Sequence, residues 1–313
     1  MNGPARATGQ EKGKPMQFSV LNTDAAKAKG AGQAPLPFKT QLLKWIGNKQ
    51  KFAHEIISFF PPSYGAYHEP FLGAAGVMAT LAPKRGFGSD IFAPLIEIWQ
   101  TLSSDPSLLK QWYRLRWEEF VSGDRVAAYE RIKARYNAAP NGADFLFLTR
   151  SCYGGVVRFR KRDGHMSTPI GAHSPIRPQA FDARVDRWSV RMAGCRFERL
   201  DYAAALNRAS PGDLVYCDPP YAHSQTILYG AQDFDLSQLL EAIKACKARG
   251  VYVALSIDGT KKSGHRACDI EVPEGLFERE RMVNVGRSML KRFQMGGMTC
   301  EAEGVRDRLL LTY

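Results

Sequence analysis

The sequence contains no run of about 18 consecutive apolar residues, so no helix that crosses a membrane is expected. It has only six cysteines, scattered at positions 152, 195, 217, 246, 268 and 300, and no C-x-x-C pair among them. An apolar signal segment is also missing from the N-terminus. The thiols are therefore expected to be reduced, in a cytoplasmic protein without a disulfide framework. The six histidines show no H-x-x-x-H or mixed His/Cys ligand spacing, and no metal is expected. No internal repeat is present, which argues against a solenoid.

What the chain does have is length and positive charge. Its 313 residues, 44% of them hydrophobic and 24% charged, suffice for one large domain with an insertion or for two modest domains. The net charge of +12 is concentrated, because between Pro106 and Gly194 sixteen Lys and Arg stand against eight Asp and Glu. A basic excess gathered in one stretch points to a polyanionic partner, usually nucleic acid, with a solvated basic surface as the alternative.

Residues 1–36 are rich in Ala, Gly, Lys, Gln and Pro and are expected to form a disordered tail. Apolar spacing then predicts a helix from Lys49 to Phe60, stopped by Pro61 and Pro62. A strand ending at Glu69 leads into the small-residue loop "FLGAAG", and a second strand from Gly86 to Ser89 ends at Asp90, followed by a helix from Ile91. Strand, glycine loop, helix, strand and acid open an α/β unit. Helix-like stretches follow at Leu108–Phe120 and Arg125–Tyr136. The Gly-, Pro- and Arg-rich stretch from Cys152 to about Pro178 lacks core periodicity and is read as a surface loop or hairpin. Alternation returns with "DLVYCDPP", "VYVALSI" and "RLLLTY", and Asp235 with Gln238 forms a capping box for a helix between the first two.

Two of these features carry chemistry. A loop of small residues before a helix lets a ligand approach the backbone, and an acid ending the next strand suits ribose hydroxyls. The alternatives are a mere tight turn and a helix cap at Asp90. In "VYCDPPY" the prolines fix the Asp218 side chain and the Pro219 carbonyl side by side. Two adjacent acceptors match the two hydrogens of an exocyclic amine, and Tyr221 offers a face for a base to stack on. In "VVRFRKRDGH", Arg158, Arg160, Lys161 and Arg162 are placed to neutralise phosphates or read a guanine edge.

"LKWIGNK" (43–49), "YHEPFLGAAGVM" (67–78), "SDIFAPLI" (89–96), "RSCYGGVVRFRKRDGHMSTPIG" (150–171) and "VYCDPPY" (215–221) resemble, in order, the motifs of the Dam-like DNA adenine-N6 methyltransferase family. The match spans most of the chain from about residue 37. The resemblance implies an α/β fold in which a Rossmann-like, S-adenosylmethionine-dependent methyltransferase sheet (37–105 and 195–313) is interrupted. The insertion (106–194) is implied to be a mainly helical target-recognition domain with a basic loop or hairpin.

Carried over by position, Trp45 and Lys49 help hold the methionine end of S-adenosylmethionine, with Phe71 and Gly73 in the loop beside it. Asp90 takes the ribose hydroxyls, Ile91 lies against the cofactor adenine, and Asp201 and Tyr202 stand near its other edge. Asp218, Pro219 and Tyr221 are implied to be catalytic, and Tyr153 and Arg158 to contact bases.

Three positions depart from the family. Ala75 replaces a common second glycine, Asn48 replaces a frequent glycine, and Gly154 stands where the branch that reads GATC carries asparagine, so that recognition sequence is not carried over.

The expected activity is thus methyl transfer to N6 of a flipped-out adenine in double-stranded DNA, in the cytoplasm at the nucleoid, with room for a separate cognate restriction endonuclease. The alternatives are methylation of cytosine N4 or another planar amine, and a DNA-binding homologue without catalysis.

Overall fold

The structure is a computed structural model that describes residues 36–220, 234–258, 260–261, 266–267, 272–286 and 305–313. The expected tail lies outside the described residues, Leu36 excepted, and so does Tyr221.

Short apolar stretches bounded by Gly, Pro or Asp form a seven-stranded sheet. β1 (Tyr67–Glu69), β2 (Gly86–Asp90), β3 (Cys195–Arg199), β4 (Leu214–Cys217) and β5 (Tyr252–Asp258) pair in parallel. β6 (Thr260–Lys261) and β7 (Arg266–Ala267) make a separate ribbon. β8 (Arg279–Gly286) and β9 (Val305–Leu311) complete the sheet, with β9 antiparallel to both β5 and β8, and the order is β3-β2-β1-β4-β5-β9-β8.

Period two assigns the side chains to faces. Leu214 and Tyr216 of β4 join one core cluster while Val215 and Cys217 join the other, and β9 divides likewise into Leu309 and Leu311 against Leu310. The second cluster is closed by α8 (Tyr202–Asn207) and α9 (Leu236–Ala248) through the buried Leu206, Leu239 and Ile243. Asp235 caps α9, accepting from the Ser237 amide at 2.8 Å. Gln238 donates to the Asp235 carboxylate at 3.2 Å and does not reach back to the backbone, so the expected capping box forms in altered shape.

The first cluster is covered by α1 (Ala53–Ile57), α2 (Gly76–Leu81) and α3 (Ala93–Ser104). It continues into α4 (Pro106–Val121), α5 (Arg125–Ala138), α6 (Gly142–Ser151) and α7 (Pro178–Met192). Trp188 of α7 stacks on Trp99 of α3 at 5.2 Å, and Tyr113 of α4 on Phe181 of α7 at 4.0 Å. Burying an aromatic side chain of this size contributes about 3 kcal/mol. Helices on both faces of a mostly parallel sheet make a Rossmann-like α/β fold.

The predicted helix over Lys49–Phe60 is broken. A 3-10 turn covers Lys49–Lys51, capped by Asn48, whose Oδ1 accepts from the Gln50 amide at 2.9 Å, and α1 begins only after Phe52. The turn buries both Lys49 and Gln50. Between α6 and α7 the expected hairpin is present, with bridges from Cys152 to Ile170 and from Phe159 to Met166, and Gly164 at its tip with φ of 68°.

Candidate active site

Where strand order reverses between β1 and β4, their outgoing loops part and open a crevice beyond the carboxyl ends of the strands. A cavity of about 310 Å³ lies there. It is lined by Trp45 and Lys49, Phe71 and Gly73, Asp90 and Ile91, Asp201 and Tyr202, and Asp218, together with Glu69, Phe92, Phe159 and Phe234. Each residue expected to hold the cofactor is therefore on its wall.

The loop after β1 is shaped by left-handed backbone at Gly73 (φ 47°) and Ala75 (φ 52°). A Cβ on Gly73 would stand 3.1 Å from Trp45 Nε1, so the glycine lets the indole lie close against the loop. The Gly73 amide donates to Asp90 Oδ2 and the Phe92 amide to Asp90 Oδ1, each at 3.1 Å. Asp90 thereby fastens the loop after β1 to the turn after β2. Burial pushes its carboxyl above the ordinary range, opposed by these backbone bonds. The backbone amide of Ile91 also bonds this carboxylate, which keeps accepting capacity for a ligand hydroxyl.

Aromatic rings build the same end of the cavity. Phe71 stacks on Tyr202 at 5.3 Å, and Phe234 meets both rings steeply inclined at 5.9 Å. Asp201 caps α8, accepting from the Ala204 amide at 2.9 Å. Ile91 is 57% exposed and offers an apolar surface at the lip.

At the other end Asp218 follows β4 directly, with Pro219 buried behind it. Lys49 Nζ donates to Asp218 Oδ1 at 2.8 Å and lies 3.4 Å from Asp307 Oδ2. Burial by itself would lower the lysine, but the carboxylates of Asp218 and Asp307 outweigh it and hold the ammonium above its ordinary value. Glu69, buried at the end of β1, accepts from the Tyr67 hydroxyl at 2.9 Å and the Met78 amide at 3.0 Å. Burial pushes its carboxyl up to about 8, with the charge of Asp218 adding to the effect, so it is protonated at neutral pH.

The basic hairpin stands beside this cavity, since Phe159 belongs to both. Asp163 draws in two of its cations, with Arg160 Nε at 2.9 Å and Arg162 Nε at 3.1 Å. Arg160 also stands 2.8 Å from His165 Nδ1. Arg158 and Lys161 have no ion-pair partner among the described residues. Tyr153 is 46% exposed and is followed by Gly154 and Gly155 at φ of 65° and 67°. Glycine takes up left-handed backbone without strain, which suits Gly154 and Gly155 to this turn.

A family model described as D12 class N6 adenine-specific DNA methyltransferase matches residues 45–286, from Trp45 through the hairpin and Asp218. The chain belongs to this family. The D12 methyltransferase is 25% identical over 230 residues to the DNA adenine methylase of Vibrio cholerae serotype O1, covering 68% of this chain and 79% of that one. It is 24% identical over 232 residues to the Type II methyltransferase M1.LlaDCHI of Lactococcus lactis subsp. cremoris, with coverage of 68% and 79%. The solved rRNA methyltransferase aviRa from Streptomyces viridochromogenes superposes with a TM-score of 0.35 at 11% identity, over 83% of this chain and 81% of that chain, too loosely to bear on function. The family is adenine-specific, so adenine takes precedence over cytosine N4 and other planar amines.

Five residues that line the cavity or bond its residues escaped the sequence reading: Glu69, Phe92, Phe159, Phe234 and Asp307. Glu69 was within reach, since an acid ending a strand just before a glycine loop has to be buried. Phe159 sits between two arginines and reads as part of a basic surface. Asp307 lies inside β9, where an acid amid a core strand carries no local signal. Among the described residues no group of three His, Cys, Asp or Glu is placed to hold a metal, and no helix is long and apolar enough to cross a membrane.

Proposed function

We propose that the cavity holds S-adenosylmethionine and that the turn at Asp218 and Pro219 receives the N6 amine of an adenine flipped out of double-stranded DNA at a specific site. The observation that carries this reading is that one cavity is lined both by an acid suited to ribose hydroxyls, Asp90, and by the amine-accepting Asp218. The walls fit such a donor: Asp90 and Asp201 offer acceptors, Ile91, Phe71 and Tyr202 offer apolar surface, and Trp45 and Lys49 take the methionine end. Bound there, the donor supplies an electrophilic methyl group.

The residues of the chain supply position and electrostatics. Asp218 accepts one hydrogen of the adenine amine and the Pro219 carbonyl the other, which favours a pyramidal nitrogen with its lone pair out of the ring plane. That lone pair forms the new N–C bond while the C–S bond breaks and its electrons stay with sulfur. N6 then gives up one proton through Asp218 to water. Extruding the base costs a few kcal/mol, offset by these contacts and by stacking on Tyr221. Tyr153, Arg158, Arg160, Lys161 and Arg162 engage the DNA. The substrate places the enzyme in the cytoplasm at the nucleoid, and the Type II relative is the ground for expecting a separate cognate endonuclease.

The test is transfer of labelled methyl from S-adenosylmethionine to unmethylated genomic DNA, with modified positions located by single-molecule sequencing. Wild type should label adenine N6 at one recurring sequence, and Asp218→Ala should reduce transfer by about 10²-fold or more. Folded wild-type protein that binds the donor but leaves DNA unlabelled would overturn the reading.

A further inference from the structure

The ladder inside the basic hairpin is short. Near the tip the Arg160 amide donates to the His165 carbonyl and the Ser167 amide to the Arg158 carbonyl, both at 2.9 Å, and the Phe159–Met166 bridge lies between these two bonds. Next along, the Arg158 amide donates to Thr168 Oγ1 at 2.8 Å in place of a backbone carbonyl. Backbone pairing resumes at the root, where the Tyr153 amide donates to the Pro169 carbonyl at 2.8 Å. A two-stranded hairpin is marginal on its own in water, so its position has to be fixed from outside.

α5 supplies that support. In an antiparallel pair flanked by ladder bonds, the amide and carbonyl of the paired residue point away from the opposite strand, so those of Met166 face out of the hairpin edge. One side chain takes both: Asn137 Nδ2 donates to the Met166 carbonyl at 3.0 Å, and the Met166 amide donates to Asn137 Oδ1 at 2.8 Å. A neighbouring strand would pair with the edge in the same way. About two turns earlier on α5, the Tyr129 hydroxyl donates to the Thr168 carbonyl at 2.8 Å. The helix is itself fixed, because Tyr136, next to Asn137, is buried and stacks on Phe145 at 5.5 Å. Met166 is buried and faces Phe159, so the Asn137 amide holds the strand opposite the one from which Arg158 and Arg160 project.

We propose that Asn137 is a positioning residue for DNA recognition: its amide stands in for a third strand at Met166 and holds the hairpin in the orientation from which it reads bases. Phosphate contacts tolerate a loosely held hairpin, whereas contacts with base edges need each side chain at a defined place. A hairpin ordered in advance gives up less freedom when it binds its own sequence. This inference rests on the reading of the hairpin as the element that engages DNA.

The experiment compares wild type with Asn137→Ala, a change to a better helix former that does not weaken α5 itself. Backbone amide exchange without DNA, read by mass spectrometry, should be about tenfold faster over 156–168 in the variant and unaltered elsewhere. Competition anisotropy then gives the affinities for a duplex bearing the sequence that wild type methylates and for the same duplex with one neighbouring base pair changed. The ratio of the two should fall about tenfold in Asn137→Ala. Affinity for the altered duplex and its salt slope should stay within about twofold, because no charge is removed. Ala134→Gly, which weakens α5 without touching the hairpin bonds, should leave the ratio as in wild type. Unaltered exchange, an unaltered ratio, equal losses on both duplexes, or the same fall in Ala134→Gly would each overturn the proposal. If Asn137→Ala does not fold, Asn137→Asp keeps the acceptor for the Met166 amide and loses the donor. It should speed the same exchange, and unaltered exchange there overturns the proposal equally. Wild type without a preferred sequence defeats the reading of the hairpin and this inference with it, while a discriminating wild type beside an unaltered Asn137→Ala defeats only the role of Asn137.

Discussion

Phe159 meets Phe92 at a centroid distance of 5.6 Å and an angle of 63°, and both rings line the cavity. The chain alternates on either side of Phe159, so Arg158 and Arg160 face away from the ring that touches the cavity wall. A hairpin that shifts on DNA must therefore move a wall of the donor site. Coupling between two ligands is reciprocal. Cognate DNA should tighten binding of S-adenosylmethionine about fivefold or more, and Phe159→Ala should bring that factor close to one. Calorimetric titration of the donor with and without DNA measures it. An unchanged factor in the variant would make Phe159 a passive wall.

The four hairpin cations should not contribute equally to DNA binding. Asp163 already engages Arg160 and Arg162, whereas Arg158 and Lys161 have no such partner among the described residues. Removing a phosphate contact lowers the slope of log affinity against log salt by about one. Arg158→Ala and Lys161→Ala should each show that change, and Arg160→Ala and Arg162→Ala a smaller one. Asp163→Asn should raise affinity and steepen the slope by releasing two cations. Fluorescence anisotropy over a salt series decides this, and equal slopes for all four alanine variants would refute the ranking.

The residues legible in the sequence are those whose chemistry demands a special local backbone. Asp90 and Asp218 end strands, Gly73 bends a loop, and the prolines after Asp218 stiffen a turn, so each announces itself within a few positions. The hairpin was legible for the opposite reason, its lack of any core period. The pairing of Lys49 with Asp307 could not be read, because it depends on β9, far along the chain, being inserted beside β5. The break after Lys51 was hidden as well, since Phe52, Ile56 and Phe60 keep a helical spacing that local backbone geometry overrides. The positive φ of Ala75 is visible only in the structure, where alanine holds a left-handed backbone that glycine adopts more readily.

Glu69 gives the molecule a pH dependence whose sign is fixed. Burial pushes its carboxyl from the ordinary 4.5 up to about 8 in the folded protein. Between those values the folded state keeps a proton that the unfolded chain has released, so the group's contribution is fully present below 4.5 and is lost as pH rises through about 8. Glu69→Gln cannot ionise, yet its amide oxygen can accept from the Tyr67 hydroxyl and the Met78 amide as the carboxyl does. Urea denaturation at pH 5, 6.5, 8 and 9 should therefore show wild type losing stability relative to Glu69→Gln as pH rises, by up to a few kcal/mol, with the gap constant above about 8. Curves that stay parallel over the whole range would mean that Glu69 is already ionised at pH 5.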